Sequence, residues 1–200
     1  MERDNVMPIV LISLLLLALT GTAGAGPLDG PGAPTAVICS ACHGFAGQSQ
    51  SNTMPILAGM APWYLKKAIL DFAAGKRTSP EMEPYAKQVV QFGLDDVAAY
   101  FAAQKRTVTP VASDPAAIER GRAAAAQCTL CHGASGKGDP AKGVPDLTGQ
   151  PPGYLKSQML LFKADKRSPG DAQLKVVKAL MATIPDEQLA DLAAYWSSVR

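Results

Sequence analysis

All four cysteines and both histidines of this 200-residue chain fall in two short stretches, Cys39-Ser40-Ala41-Cys42-His43 and Cys128-Thr129-Leu130-Cys131-His132. In the order Cys-x-x-Cys-His, the two thiols bond to the vinyl groups of a haem and the neighbouring imidazole comes up beneath the ring to bind iron. Without the histidine, such a pair would suit a redox dithiol or half of a zinc site. A zinc ion shared by both pairs would leave unexplained why the same strict order returns 89 residues later. The expectation is two covalently bound haem c groups, attached through Cys39, Cys42, Cys128 and Cys131, with His43 and His132 as iron ligands.

Pro55 and Pro145 lie a dozen or so residues after the two histidines, at matching points of the repeat. In c-type cytochromes a proline here offers its carbonyl to the outer imidazole nitrogen and fixes the ring; the other reading is a plain loop turn. For the sixth iron position, a thioether raises the reduction potential and closes the metal to outside ligands. Met82 is the candidate in the first copy, in the loop Pro80-Glu81-Met82-Glu83-Pro84, where the chain must return across the haem. Met54 and Met60 belong on the histidine side, and Met60 reads as packing. In the second copy, Met159 falls on an apolar helical stripe and reads as core. Met181 is left by elimination. The position matching Met82, however, is Val177, so Lys175, Lys178, water or nothing are the other candidates for that iron.

The motifs are landmarks of an internal duplication. Pro55-x-Leu57-x-Gly59, Tyr64-Leu65-Lys66, Phe72 and Lys76-Arg77 return 90 residues later as Pro145-x-Leu147-x-Gly149, Tyr154-Leu155-Lys156, Phe162 and Lys166-Arg167. Asp96-Val97-Ala98-Ala99-Tyr100 returns 95 residues later, at Asp191 to Tyr195, so the second copy carries five extra residues ahead of its last helix. Apolar residues spaced by three and four predict helices throughout and no strands. A middle helix should open at Pro62 and stop near Gly75. Terminal helices are expected over about Asp95–Arg106 and Pro185–Val199, the latter capped by Thr183, and a further helix over Pro115–Gln127 should lead into the second motif. The organisation expected is residues 26–108, a linker over 109–114 in a stretch with two prolines, Pro110 and Pro115, and no helical spacing, and residues 115–200. Units this small have marginal cores, and a buried macrocycle would supply the missing apolar contact.

Residues 1–25 read as a secretory signal peptide: an apolar run from Val6 to Leu19, then Ala23-x-Ala25 as cleavage site. The alternative is an uncleaved membrane anchor. Export with an even cysteine count would ordinarily point to disulfides, which the spacing argues against here. Without residues 1–25 the chain has 18 basic and 15 acidic residues, scattered rather than clustered, which disfavours a nucleic-acid surface.

Together, two Cys-x-x-Cys-His-Gly copies followed by P-x-L-x-G, Y-L-K, F, K-R and D-[VL]-A-A-Y resemble the diheme cytochrome c4 family and the diheme subunits of flavocytochrome c sulfide dehydrogenases, over nearly all of residues 36–199. The resemblance implies an all-α fold of two tandem class I cytochrome c domains related by pseudo-twofold symmetry, with haems close to the interface. It implies a periplasmic electron carrier in a respiratory or sulfur-oxidising chain. Its partners would be redox proteins such as a membrane oxidase, a bc1-type complex or a dehydrogenase subunit, with weak membrane association and no nucleic acid. The family places a methionine ahead of the terminal helix in both domains; this chain keeps it at Met82 and departs at Val177. The lead-in to Cys39, with Pro27, Pro31 and Pro34, is also shorter than the family's helix. The competing reading is a haem enzyme, of thiosulfate dehydrogenase or peroxidase type, using an open second haem. With every cysteine and histidine committed to haem, no spare thiolate or imidazole remains for it.

Overall fold

The computed structural model describes residues 28–200, so the export signal read at 1–25 lies outside the described residues. Nine α-helices in two sets of similar order make up the described chain: α1 (Ala33–His43), α2 (Pro62–Ala73), α3 (Met82–Phe92), α4 (Leu94–Ala103), then α5 (Pro115–Ala124), α6 (Ala126–His132), α7 (Pro152–Lys163), α8 (Lys175–Thr183) and α9 (Asp186–Ser198). There is no strand among the described residues, only two isolated bridges. None of these helices is long and apolar enough to cross a membrane.

Each set encloses its own core. Leu65, Val89, Val97 and Phe101 centre the first, and Leu155, Leu189, Leu192 and Trp196 the second. Pro62 and Pro152 open α2 and α7, where a missing N–H costs nothing because the first turn has no acceptor for it. Glycine follows each haem-motif histidine, at φ +74° for Gly44 and +73° for Gly133. A residue without Cβ adopts this region freely, so the helix stops there and the chain turns into the loop that carries the proline.

Two expectations are corrected. Met82 is not in a loop but is the first residue of α3; Pro84 is accommodated within its first turn for the reason given for Pro62. Thr183 does not cap α9: it ends α8, and its hydroxyl donates back to the Leu180 carbonyl. The lead-in to Cys39 is short, as expected: it is the start of the single helix Ala33–His43, with Pro34 in its first turn, whereas Pro115–Ala124 and Ala126–His132 precede and carry the second motif.

The N-terminal helix of each set crosses its terminal helix at a glycine. A Cβ on Gly121 would lie 2.0 Å from the Asp191 carbonyl oxygen, and one on Gly32 would lie 2.2 Å from that of Asp96. These are equivalent positions, 89 and 95 residues apart, so the same close approach was built twice.

The two sets meet across a pseudo-twofold axis. Arg77 and Arg167, equivalent residues, form an antiparallel bridge with each other. Arg77 donates to the Tyr154 hydroxyl at 2.8 Å and Arg167 to the Tyr64 hydroxyl at 2.8 Å. Each guanidinium also stacks on the equivalent phenylalanine, Phe72 at 4.5 Å and Phe162 at 4.4 Å. Gln158 breaks the symmetry by accepting from both arginines.

A second tie is one-sided. The buried Gln150 side chain accepts from the Ile56 N–H at 2.9 Å and donates to the Ile56 carbonyl at 2.8 Å. Its replacement by alanine strands two buried backbone groups, at a cost of about 2 kcal/mol or more. The expected result for Gln150→Ala is a lower denaturation midpoint with an unchanged visible spectrum.

Candidate functional site

Helices α1 to α4 wall a cavity of about 450 Å³. Cys39, Cys42 and His43 reach it from the end of α1, Leu65, Ile69 and Phe72 from α2, Met82, Ala86 and Val89 from α3, and Val97 and Phe101 from α4. Its lining is mostly aliphatic and aromatic, as a flat apolar macrocycle requires. The far wall belongs to the other set of helices: Tyr154, Gln158 and Leu161 of α7 complete it. A group seated here therefore has an edge at the interface.

His43 is 5% exposed, and its Nδ1 lies 2.9 Å from the Pro55 carbonyl. A carbonyl only accepts, so Nδ1 must carry the proton and Nε2 keeps its lone pair. That Nε2 is buried and has no hydrogen-bond partner. Burial pushes the imidazole pKa down, more than the Pro55 carbonyl raises it, so the ring is neutral, as a metal ligand must be. A buried imidazole with one nitrogen oriented and the other unsatisfied beside an apolar cavity fits a haem iron. In the second set, His132 Nδ1 lies 2.8 Å from the Pro145 carbonyl, and burial again lowers the imidazole pKa.

No disulfide joins the four cysteines; Cys39 and Cys128 are half-buried and Cys42 and Cys131 exposed. No cluster of three or more histidine, cysteine or acidic residues forms among the described residues, so the two cysteine pairs do not converge on a shared zinc site.

The structure brings His43, Pro55, Cys39, Cys42 and Met82 onto one cavity, together with Met54 and Met60. Met54 is bonded to the proline that holds His43. Met181 lies on α8, 6% exposed, in the second core with Leu155, Leu189 and Trp196. Nothing in the motifs themselves marks Arg77 as a site residue. A Lys-Arg pair reads as a solvated charge, yet Arg77 is 3% exposed and lines the cavity. Its side chain hydrogen-bonds to a phenol and an amide rather than to a carboxylate. The signal available in the sequence was the repeat itself, since Tyr, Phe and Lys-Arg all recur in register. Burial pushes the Tyr64 phenol up, but Arg167 and Arg77 outweigh it and bring the group down to about 7.

Comparison with known proteins agrees with this architecture. The Cytochrome c family model matches residues 118–200. The chain is 36% identical over 194 residues to a cytochrome c4 of Pseudomonas aeruginosa, an alignment covering 93% of this chain and 96% of the relative. It is 29% identical to a thiosulfate dehydrogenase electron acceptor of Stutzerimonas stutzeri, over 96% of this chain and 94% of that one. The crystal structure of reduced cytochrome c4 from Pseudomonas stutzeri superimposes with a TM-score of 0.74 at 28% identity, covering 86% of this chain and all of that one. Two covalently bound haem c groups are the cofactors, one for each cysteine motif. With two tandem cytochrome c domains, two haem-attachment motifs and a full-length relative above 30% identity, the chain belongs to the cytochrome c4 family of diheme electron-transfer cytochromes.

Proposed function

We propose that the chain is a periplasmic relay that passes electrons between redox proteins of a respiratory or sulfur-oxidising chain and performs no substrate chemistry of its own. The observation that carries this reading is the first cavity, where an oriented, neutral His43 and Met82 share one apolar enclosure. The haem supplies one-electron chemistry, cycling between ferric and ferrous iron. Cys39 and Cys42, and Cys128 and Cys131, hold the two groups; the Pro55 and Pro145 carbonyls fix the tautomer and plane of His43 and His132. Met82 closes the first site against outside ligands. Arg77 places a buried cation at the cavity edge, where it would offset haem propionates that would otherwise be costly to bury.

The shared wall supports a relay: α7 of the second domain lines the first domain's cavity, so the two sites approach each other across the Arg77–Arg167 axis. We take the domains as residues 26–108 and 115–200 with 109–114 between them. The reading of residues 1–25 as an export signal supports the periplasmic location. The relative named as a thiosulfate dehydrogenase electron acceptor supports a role in accepting electrons from a sulfur-oxidising enzyme.

Purified holoprotein should show two one-electron waves in a redox titration. It should stay oxidised with thiosulfate alone and become reduced once a thiosulfate dehydrogenase is added. Catalytic oxidation of thiosulfate by the isolated protein would refute the carrier reading.

A further inference from the structure

Gln158 has no counterpart in the first domain. The 90-residue register holds on either side of it: α2 and α7 are equal in length, and Tyr64 and Tyr154, like Phe72 and Phe162, keep the spacing. The residue equivalent to Gln158 is Ala68, whose side chain has no polar group to offer. The arginine-to-tyrosine contacts across the axis come as a symmetric pair; the amide contact exists only on α7.

That single amide oxygen accepts three hydrogen bonds. Arg77 reaches it through Nε at 3.1 Å and through a terminal nitrogen at 2.7 Å, and Arg167 through a terminal nitrogen at 2.9 Å. Two guanidinium groups, both permanently charged, are drawn onto one oxygen against their mutual repulsion. Arg77 lines the first cavity, and so do Gln158 and Tyr64, the two side chains to which Arg167 donates. Both cations are gathered at that cavity, although Arg167 belongs to the second domain. Asp71, a carboxylate that acts on Arg77, is itself paired with Lys67.

We propose that Gln158 is a positioning residue that holds the two interface cations beside the first haem and so raises its reduction potential relative to that of the second. Reduction adds an electron, and positive charge nearby lowers its energy. Burial at the domain contact keeps salt from screening the effect. The inference rests on the electron-carrier reading and adds to it the residue that makes the two sites unequal.

Redox titration of the holoprotein tests this with three variants. Gln158→Leu removes the acceptor and should lower the first haem's wave while the second moves less; a roughly tenfold change in the ratio of the two reduction equilibria is expected, equivalent to 59 mV for a one-electron couple. Gln158→Glu keeps an acceptor for both arginines and adds a negative charge, so the thermal midpoint should hold while the first wave falls. Arg167→Gln should also lower the first wave more than the second, which a merely structural role would not produce. An unchanged spacing between the waves in the Gln158 variants, or a larger shift of the second wave in Arg167→Gln, overturns the proposal. The wave that Met82→Leu moves is the first haem's. Should neither wave respond to Met82→Leu, the ligand reading fails on its own, while the spacing in the Gln158 variants still decides this proposal.

Discussion

Replacing Met82 with leucine should lower the reduction potential of the first haem by on the order of 0.1 V, within the ~0.8 V range that axial ligands span. A thioether accepts electron density and favours ferrous iron, so its loss moves the couple down. Leucine matches methionine closely in volume, so α3 should keep its place and the fold should survive. The outcome is read from a redox titration that resolves the two waves: one falls and the other stays. Equal movement of both waves would mean that the substitution acts through the shared wall of α7 rather than at one iron.

Gly121→Ala should be strongly damaging for a single methyl group. The new Cβ would meet the Asp191 carbonyl oxygen at 2.0 Å, its carbon at 2.6 Å and the Tyr195 Cβ at 2.8 Å. Two of these are backbone atoms, so no rotamer relieves the clash and α5 must lift from α9. Next to the contact, Arg120 grips Asp191 with two hydrogen bonds of 2.8 Å, which resists the separation. The expected loss is about 3 kcal/mol, at the upper end for overpacking, or a fall of roughly 10–20 °C in Tm for a domain of this size. Thermal unfolding of the holoprotein measures it. Gly32→Ala should cost less, although its clash is similar, because Gly32 precedes α1 and the chain before it can swing aside. Equal effects would show that the crossing, rather than its position along the helix, sets the cost.

Legibility from the sequence varied with the range of the interaction. The cysteine and histidine pattern needs only five consecutive residues, and its chemistry is set by covalent order, so it could be read directly. The 90-residue register made Tyr64, Phe72 and Arg77 visible as repeated, but their purpose was not. A cation next to a lysine reads as solvated; only when α2 and α7 pack across the axis does Arg77 come under Tyr154 and over Phe72. The start of α3 was misread because two prolines around Met82 suggest a loop, whereas proline in a first turn is neutral to the helix. Glycines 32 and 121 gave no signal in composition, since the approach they permit is to a residue some 64 to 70 positions away.

By itself, then, the order of residues determined that two haems are attached and that the chain is a helical duplication, because these follow from adjacency and period. The folded chain alone decided that Arg77 is buried, that the first cavity borrows a wall from the second domain, and that Met181 packs inside the second core. Those depend on contacts between residues far apart along the backbone, whose geometry exists only once the helices have packed.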